Sequence, residues 1–123
     1  MDPSVRMLEI DGMSGQRFEE FLTWFYAKIG FGVWKTKKGV DQGADLILHR
    51  HTRIAVQAKR QKKKTGNKAV QEVNSARSYY QCTDAWVVTS NYFTKNAIEL
   101  ARYCNVELID RDRLNDMISR ARF

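Results

Sequence analysis

Residues Ala85-Trp86-Val87-Val88-Thr89 form an unbroken apolar run. A strand with one wet face alternates polar and apolar residues, so a run without that alternation has to be covered on both sides. The chain therefore folds around a sheet with helices on both faces, and its remaining segments must supply the cover. Ser14 is placed to cap a helix reaching about Ile29 and closed by Gly30, with Phe18, Phe21, Leu22, Phe25 and Ile29 on one stripe. Strand patterns follow at 32–36, 44–48 and 53–59, and the short polar link 49–52 makes the last two a hairpin. Asn67 or a neighbour starts a helix through Tyr80, with Val70, Val73 and Ala76 or Arg77 inward. After the apolar strand, Thr94 caps a helix to Cys104, 106–109 is a strand, and Asp110 or Asp112 opens a last helix carrying Leu114, Met117 and Ile118. The order α-β-β-β-α-β-α-β-α predicts an α/β fold with a mixed central sheet flanked by helices on both faces.

The 123 residues make one domain, and 43% hydrophobic content is ample for its core. Pro3 is the sole proline, so no Pro-marked linker divides the chain; the reading is an N-terminal extension over 1–12 and a single domain over 13–123. No apolar run approaches bilayer length, and the opening residues are polar and acidic where a secretory signal would be apolar. Cys82 and Cys104 are too few for a disulfide framework. These features predict a soluble cytoplasmic protein without a membrane partner.

The net charge of +7 is unevenly placed. Residues 35–64 hold ten basic and two acidic side chains, while the rest hold eleven and twelve. All the excess sits in a quarter of the chain, the footprint of a polyanion partner, most often nucleic acid. Lys35, Lys37, Lys38, Arg60, Lys62, Lys63 and Lys64 are the candidate DNA contacts. A solvated lysine face explains the run Lys59-Arg60-Gln61-Lys62-Lys63-Lys64 about as well.

Four polar residues stand out against this frame. On the third strand Ile54, Val56 and Ala58 share one face, so Gln57 and Lys59 project together from the other. A wet edge strand is the simpler explanation of Gln57 alone. Asp41 is explained by a turn, whereas Asp45 puts a carboxylate just ahead of Leu46-Ile47-Leu48, where a charge needs a partner, a metal or a proton. On the first helix Glu19 falls at the margin of the apolar stripe and Glu20 on its solvent side; the helix dipole also favours an acid there.

Such a set suits phosphodiester hydrolysis, which needs a cation to bind nonbridging oxygens and acidify water. Hard oxygen donors suit Mg2+, with Mn2+ as a substitute. Asp45 would be the principal ligand, Glu19 would bind directly or through water, Gln57 would offer its carbonyl oxygen, and Lys59 would position the water and offset developing charge. The hairpin sets a test. Asp45 and Gln57 share a face only if opposed residue numbers add to an even value, and a four-residue turn centred between Arg50 and His51 makes it odd. An odd-length loop or a β-bulge is therefore predicted between them.

With those residues in view, the chain resembles the Mrr-type restriction endonuclease domain, a branch of the PD-(D/E)xK nuclease superfamily. The matching blocks are Met13 to Leu22, Asp41-Gln42-Gly43-Ala44-Asp45-Leu46, Val56-Gln57-Ala58-Lys59-Arg60, Ala69-Val70-Gln71-Glu72-Val73, Val87-Val88-Thr89-Ser90 and Phe93-Thr94. They run in the family's order from about Met13 to Ile118. The resemblance implies a restriction-endonuclease-like core and a metal-dependent deoxyribonuclease with Asp45, Gln57 and Lys59 at the Asp and Gln-x-Lys positions and Glu19 as the helical glutamate. Glutamine in place of the superfamily's commoner glutamate removes one negative ligand. Gln71 is taken as a phosphate or lysine contact.

Three functions compete: a Mg2+-dependent DNA endonuclease, a DNA-binding module of the same fold with little turnover, and a branched-DNA (Holliday junction) resolvase. The presence of all four residues favours the endonuclease. One site per chain points to a homodimer for duplex cutting, although sequential nicking would suffice. Trp24, Trp34 and Trp86 are read as packing residues, and His49 and His51 as exposed turn residues.

Overall fold

The computed structural model describes residues 6–37 and 43–121; Lys38 and Asp41, named above, lie outside them. In chain order the elements are α1 (Met7–Asp11), α2 (Gly15–Lys28), β1 (Gly32–Lys35), β2 (Leu46–His49), β3 (Arg53–Lys59), α3 (Asn67–Tyr79), β4 (Asp84–Thr89), α4 (Lys95–Cys104), β5 (Glu107–Ile109) and α5 (Arg111–Arg120). The expected succession is present with α1 added at its start. That helix is too short to show a periodicity, yet its Met7 and Ile10 are buried in the core, so part of the stretch read as an extension packs against the domain.

Local chemistry explains most of the boundaries. The side-chain oxygens of Ser14, Thr94 and Asp110 accept the N–H groups of Arg17, Ala97 and Arg113 at 3.1, 3.1 and 2.9 Å. Each such cap contributes about 1 kcal/mol to its helix. The exception is α3, where Gly66 holds the cap position without a side-chain bond and Asn67 is the first helical residue.

The five strands lie in the order β1-β2-β3-β4-β5. Strands β1 to β3 pair antiparallel, whereas β3, β4 and β5 pair parallel through the crossover helices α3 and α4. One core lies between the sheet and α1, α2 and α5, built on Phe18, Phe21, Leu22, Phe25, Leu46, Val56 and Leu114. A second lies between the sheet and α3 and α4, built on Ala55, Val70, Val73, Val87 and Ala97. Each large side chain sunk in this way contributes roughly 1.5–3 kcal/mol of transfer free energy. Strand β4 serves both cores, Trp86 and Val88 facing the first and Ala85 and Val87 the second, which is why its sequence does not alternate.

Two expectations change. Strand β3 is the middle strand rather than an edge, and Gln57 is 3% exposed. Trp34, read as a packing residue, is 53% exposed on β1 because α3 and α4 cover the sheet from β3 to β5. The hairpin behaves as parity demanded: Leu46 pairs with Val56 and His49 with Arg53, leaving the three residues 50–52 as an odd-length loop.

Candidate active site

Regular pairing between β2 and β3 stops at Leu46 and Val56. One residue earlier the Asp45 N–H donates to the Val56 carbonyl at 2.8 Å, although the register would set Asp45 across from Gln57. The ladder has slipped, and the carboxylate fills the gap: its Oδ2 accepts the Ala58 N–H at 2.8 Å. A charge-assisted bond of this kind is what a carboxylate at the head of an apolar strand requires. It also places Asp45 against β3 between Gln57 and Lys59, which flank Ala58.

The loop leading into Asp45 is pinned from the other side. Gly43 has φ +89°, and a Cβ built there would stand 2.2 Å from the main-chain oxygen of Glu72 on α3. Only glycine suits that conformation and that closeness of two backbones. Residues 43–45 are thus wedged between α3 and β3.

Gln57 faces α3, where its Nε2 lies 3.4 Å from Glu72 Oε2, a long hydrogen bond. An amide oxygen turned toward a carboxylate would be repelled, so the amide presents nitrogen to Glu72 and its carbonyl oxygen elsewhere. That oxygen, Gln57 Oε1, and the second carboxylate oxygen, Glu72 Oε1, are both buried with no hydrogen-bond partner among the described residues. Two orphaned acceptors on adjoining side chains are what a cation would satisfy. Hard oxygen donors of this kind fit Mg2+, which completes its shell with water. Among the described residues no three His, Cys, Asp or Glu side chains gather into a metal-binding group. Lys59 is half-buried and follows Gln57 to the same side of β3.

Glu72 is the residue that sequence reasoning passed over in favour of its neighbour Gln71. A signal was available in the helix period. With about 100° per residue, Glu72 borders the buried stripe of Ala69, Val73 and Ala76, whereas Gln71 falls on the far side and is exposed. Glu72 thus stands at the margin of its helix's apolar stripe as Glu19 does on α2.

Glu19 is half-buried on α2, across the sheet from α3. The C-terminal end of α2 is tied to the β2–β3 loop by a hydrogen bond from Arg50 to the Ile29 carbonyl. Glu19 thus lies on the α2 face of the sheet and Gln57 and Glu72 on the α3 face, while Asp45 stands at the end of the sheet where β2 begins and β3 finishes.

The basic residues gather at that end as well. Lys35 is in the row of Leu46 and Val56, so Lys35 and Lys37 lie beside Asp45, and Arg60, Lys62, Lys63 and Lys64 follow the end of β3. The lysines are exposed and Arg60 is half-buried. Thr65, just beyond, is anchored in the fold by a bridge to Phe93 and a bond to Thr89 at 2.8 Å. No helix among the described residues is long and apolar enough to cross a membrane.

A family described as restriction endonuclease, Mrr_cat, matches residues 10–118. No curated protein matches the chain. Among solved structures it is similar to the DNA modification-dependent restriction endonuclease AspBHI, at 18% identity over 91% of this chain and 34% of that one, with a TM-score of 0.61. It is similar to MspJI restriction endonuclease, solved with a 27-mer oligonucleotide, at 20% identity over 84% of this chain and 27% of that one, TM-score 0.62. A repair endonuclease from Pyrococcus abyssi aligns at 16% identity over 80% of this chain and 47% of that one, TM-score 0.58. The chain thus spans less than half of each of these three proteins.

Proposed function

The chain belongs to the Mrr_cat restriction-endonuclease family, and from that premise we propose that it is a divalent-metal-dependent deoxyribonuclease hydrolysing DNA phosphodiester bonds. The observation that supports this most is the pair of buried, unpartnered oxygens on Gln57 and Glu72, with the Asp45 carboxylate tied to the backbone of β3 at Ala58, next to Gln57 in the chain. Asp45, Gln57 and Glu72 hold the metal, Mg2+ or Mn2+ in its place. The ion, when bound, supplies Lewis acidity to a phosphate oxygen and lowers the pKa of water. Lys59 orients the attacking water and offsets charge building on the phosphate. Asp45 is held in place by Ala58 and by the Gly43 wedge, so little reorganisation is needed as the substrate arrives.

DNA as the partner is supported by the cluster of exposed lysines around the same end of the sheet and by the oligonucleotide-bound neighbour MspJI. Phosphate contacts of this kind position a duplex without reading its sequence. Nicking of supercoiled plasmid with Mg2+, and its loss in EDTA, in Asp45→Ala and in Lys59→Ala, tests the assignment. Equal nicking by all three proteins would refute the site. The amide at position 57, which leaves the site with fewer charges than a glutamate would, favours a second reading as a DNA-binding module with little turnover; retention of plasmid without nicking in Mg2+ and in Mn2+ would establish it.

A further inference from the structure

Outside this centre, a cleft of about 360 Å³ opens beyond the carboxyl ends of β3 and β4. It is lined by Asp11, Arg60, Gln61, Lys62, Asn91, Tyr92 and Arg111. Its volume is at the low end of the roughly 300–1,000 Å³ of small-ligand sites. The walls are held together by bonds from side chains to the backbone and to one another. Ser90 Oγ accepts the Gln61 N–H at 3.1 Å, Asn91 Nδ2 donates to the Gln61 carbonyl at 3.3 Å, and the Tyr92 hydroxyl donates to Asp112 at 2.8 Å.

The charge within it does not balance. Arg111 grips Asp11 through both its terminal nitrogens at 2.7 and 2.9 Å, which neutralises that pair. Arg60 donates only to the neutral carbonyl of Asp11 at 3.2 Å, and no carboxylate lies within ion-pair distance of it among the described residues. Its Nε is buried and has no hydrogen-bond partner there either. A half-buried guanidinium whose Nε is left unpartnered is best matched by an oxyanion that accepts from two of its nitrogens. Exposed Lys62 stands at the mouth and adds a second positive charge.

We propose that this cleft is a phosphate subsite for the strand being cut, holding on Arg60 and Lys62 a backbone phosphate that neighbours the one at Asp45 and Lys59. The inference rests on the deoxyribonuclease reading above. Lys59 and Arg60 are consecutive, with Cα atoms about 3.8 Å apart; Lys59 ends β3 and Arg60, the next residue, lines the cleft. A DNA strand crossing the end of the sheet meets Lys59 with one phosphate and Arg60 with the next. The cleft then sets the strand's direction across the centre.

Binding of a short fluorescent duplex in EDTA, where nothing is cut, tests this across a salt series. Arg60→Met is expected to weaken binding about fivefold to tenfold and to lower the salt slope by about 0.9, the value for one phosphate. Arg60→Lys is expected to keep the slope. Amide NMR signals of Asn91 and Tyr92 should move with the oligonucleotide and stay still with inorganic phosphate at equal concentration. Should Arg60→Met fail to fold, Lys62→Ala at its exposed position carries the same expectation. Wild-type binding with an unchanged slope in the folded variant overturns the subsite alone, and equal shifts with inorganic phosphate make it a free-phosphate site. A wild-type protein that does not bind the duplex overturns the subsite together with the reading beneath it.

Discussion

Gly43→Ala attacks the wedge that aims Asp45. Alanine in the left-handed region occupied at φ +89° is strained by about 1–2 kcal/mol. Its Cβ would lie 2.2 Å from the Glu72 carbonyl oxygen and 2.7 Å from the carbonyl carbon, where ordinary contacts begin near 3.4 Å. The obstacle is helix backbone, so the loop itself has to retreat by about 1 Å, and overpacking of this size costs a further 1–3 kcal/mol or so. A loss of about 2–4 kcal/mol follows, because part of the strain is relieved as the loop moves. In urea this lowers the unfolding midpoint by on the order of 1–3 M. Asp45 is two residues away, and a displacement of that size at a reacting centre costs about a hundredfold in rate. The assay pairs urea unfolding with plasmid nicking at a temperature where the variant is folded. Gly15→Ala is the control: a Cβ there meets nothing within 4 Å at the start of α2, so it should raise stability by roughly 0.5–1 kcal/mol and leave nicking unchanged. A Gly43→Ala protein with wild-type midpoint and wild-type nicking would refute the wedge.

Asp45→Asn keeps an oxygen for the Ala58 N–H and should stay within about 1 kcal/mol of wild-type stability while nicking is lost. Asp45→Ala should lose nicking and about 1.5–3 kcal/mol as well, the worth of a bond to a charged group; equal unfolding midpoints for the two would contradict the bond. Glu72→Gln should weaken Mn2+ binding by calorimetry at least about tenfold, and unchanged affinity would remove Glu72 from the donor set. The Arg111 guanidinium holds the Asp11 carboxyl below its ordinary range. The folded chain therefore takes up that proton less readily than the unfolded one, and the pair's contribution is present above about pH 4 and disappears as pH falls through the folded-state value. Asp11→Asn should flatten the acid limb of a stability–pH curve and change stability at pH 7 by less than about 1 kcal/mol, since the pair is partly exposed. A wild-type acid limb in that variant would contradict the assignment.

The elements were legible where their cause is local. Ser14, Thr94 and Asp110 announce helix starts through their own side chains, and the Phe18-Phe21-Leu22-Phe25 stripe repeats with the helix period. Strand β3 was placed to the residue because Arg53-Ile54-Ala55-Val56-Gln57-Ala58-Lys59 alternates. Strand β2, which follows a slipped pairing at Asp45, was placed two residues early at its start and one at its end. Even the three-residue loop of the hairpin followed from chain parity, since a side chain's face is fixed by counting along the strand.

By itself, then, the order of residues determined which segments are helix and strand, that the sheet is covered twice, and that Asp45 leads into the strand paired with the one carrying Gln57 and Lys59. Only the tertiary structure decided that Gln57 is sealed under α3 rather than wet, that Glu72 faces it while Gln71 does not, and that Arg60 Nε is buried near Asp11 without a hydrogen-bond partner among the described residues. Capping and periodicity act over a few residues and are written into the chain. Burial, desolvation and charge balance depend on which distant segments arrive alongside, and those distances are set only when the whole core packs.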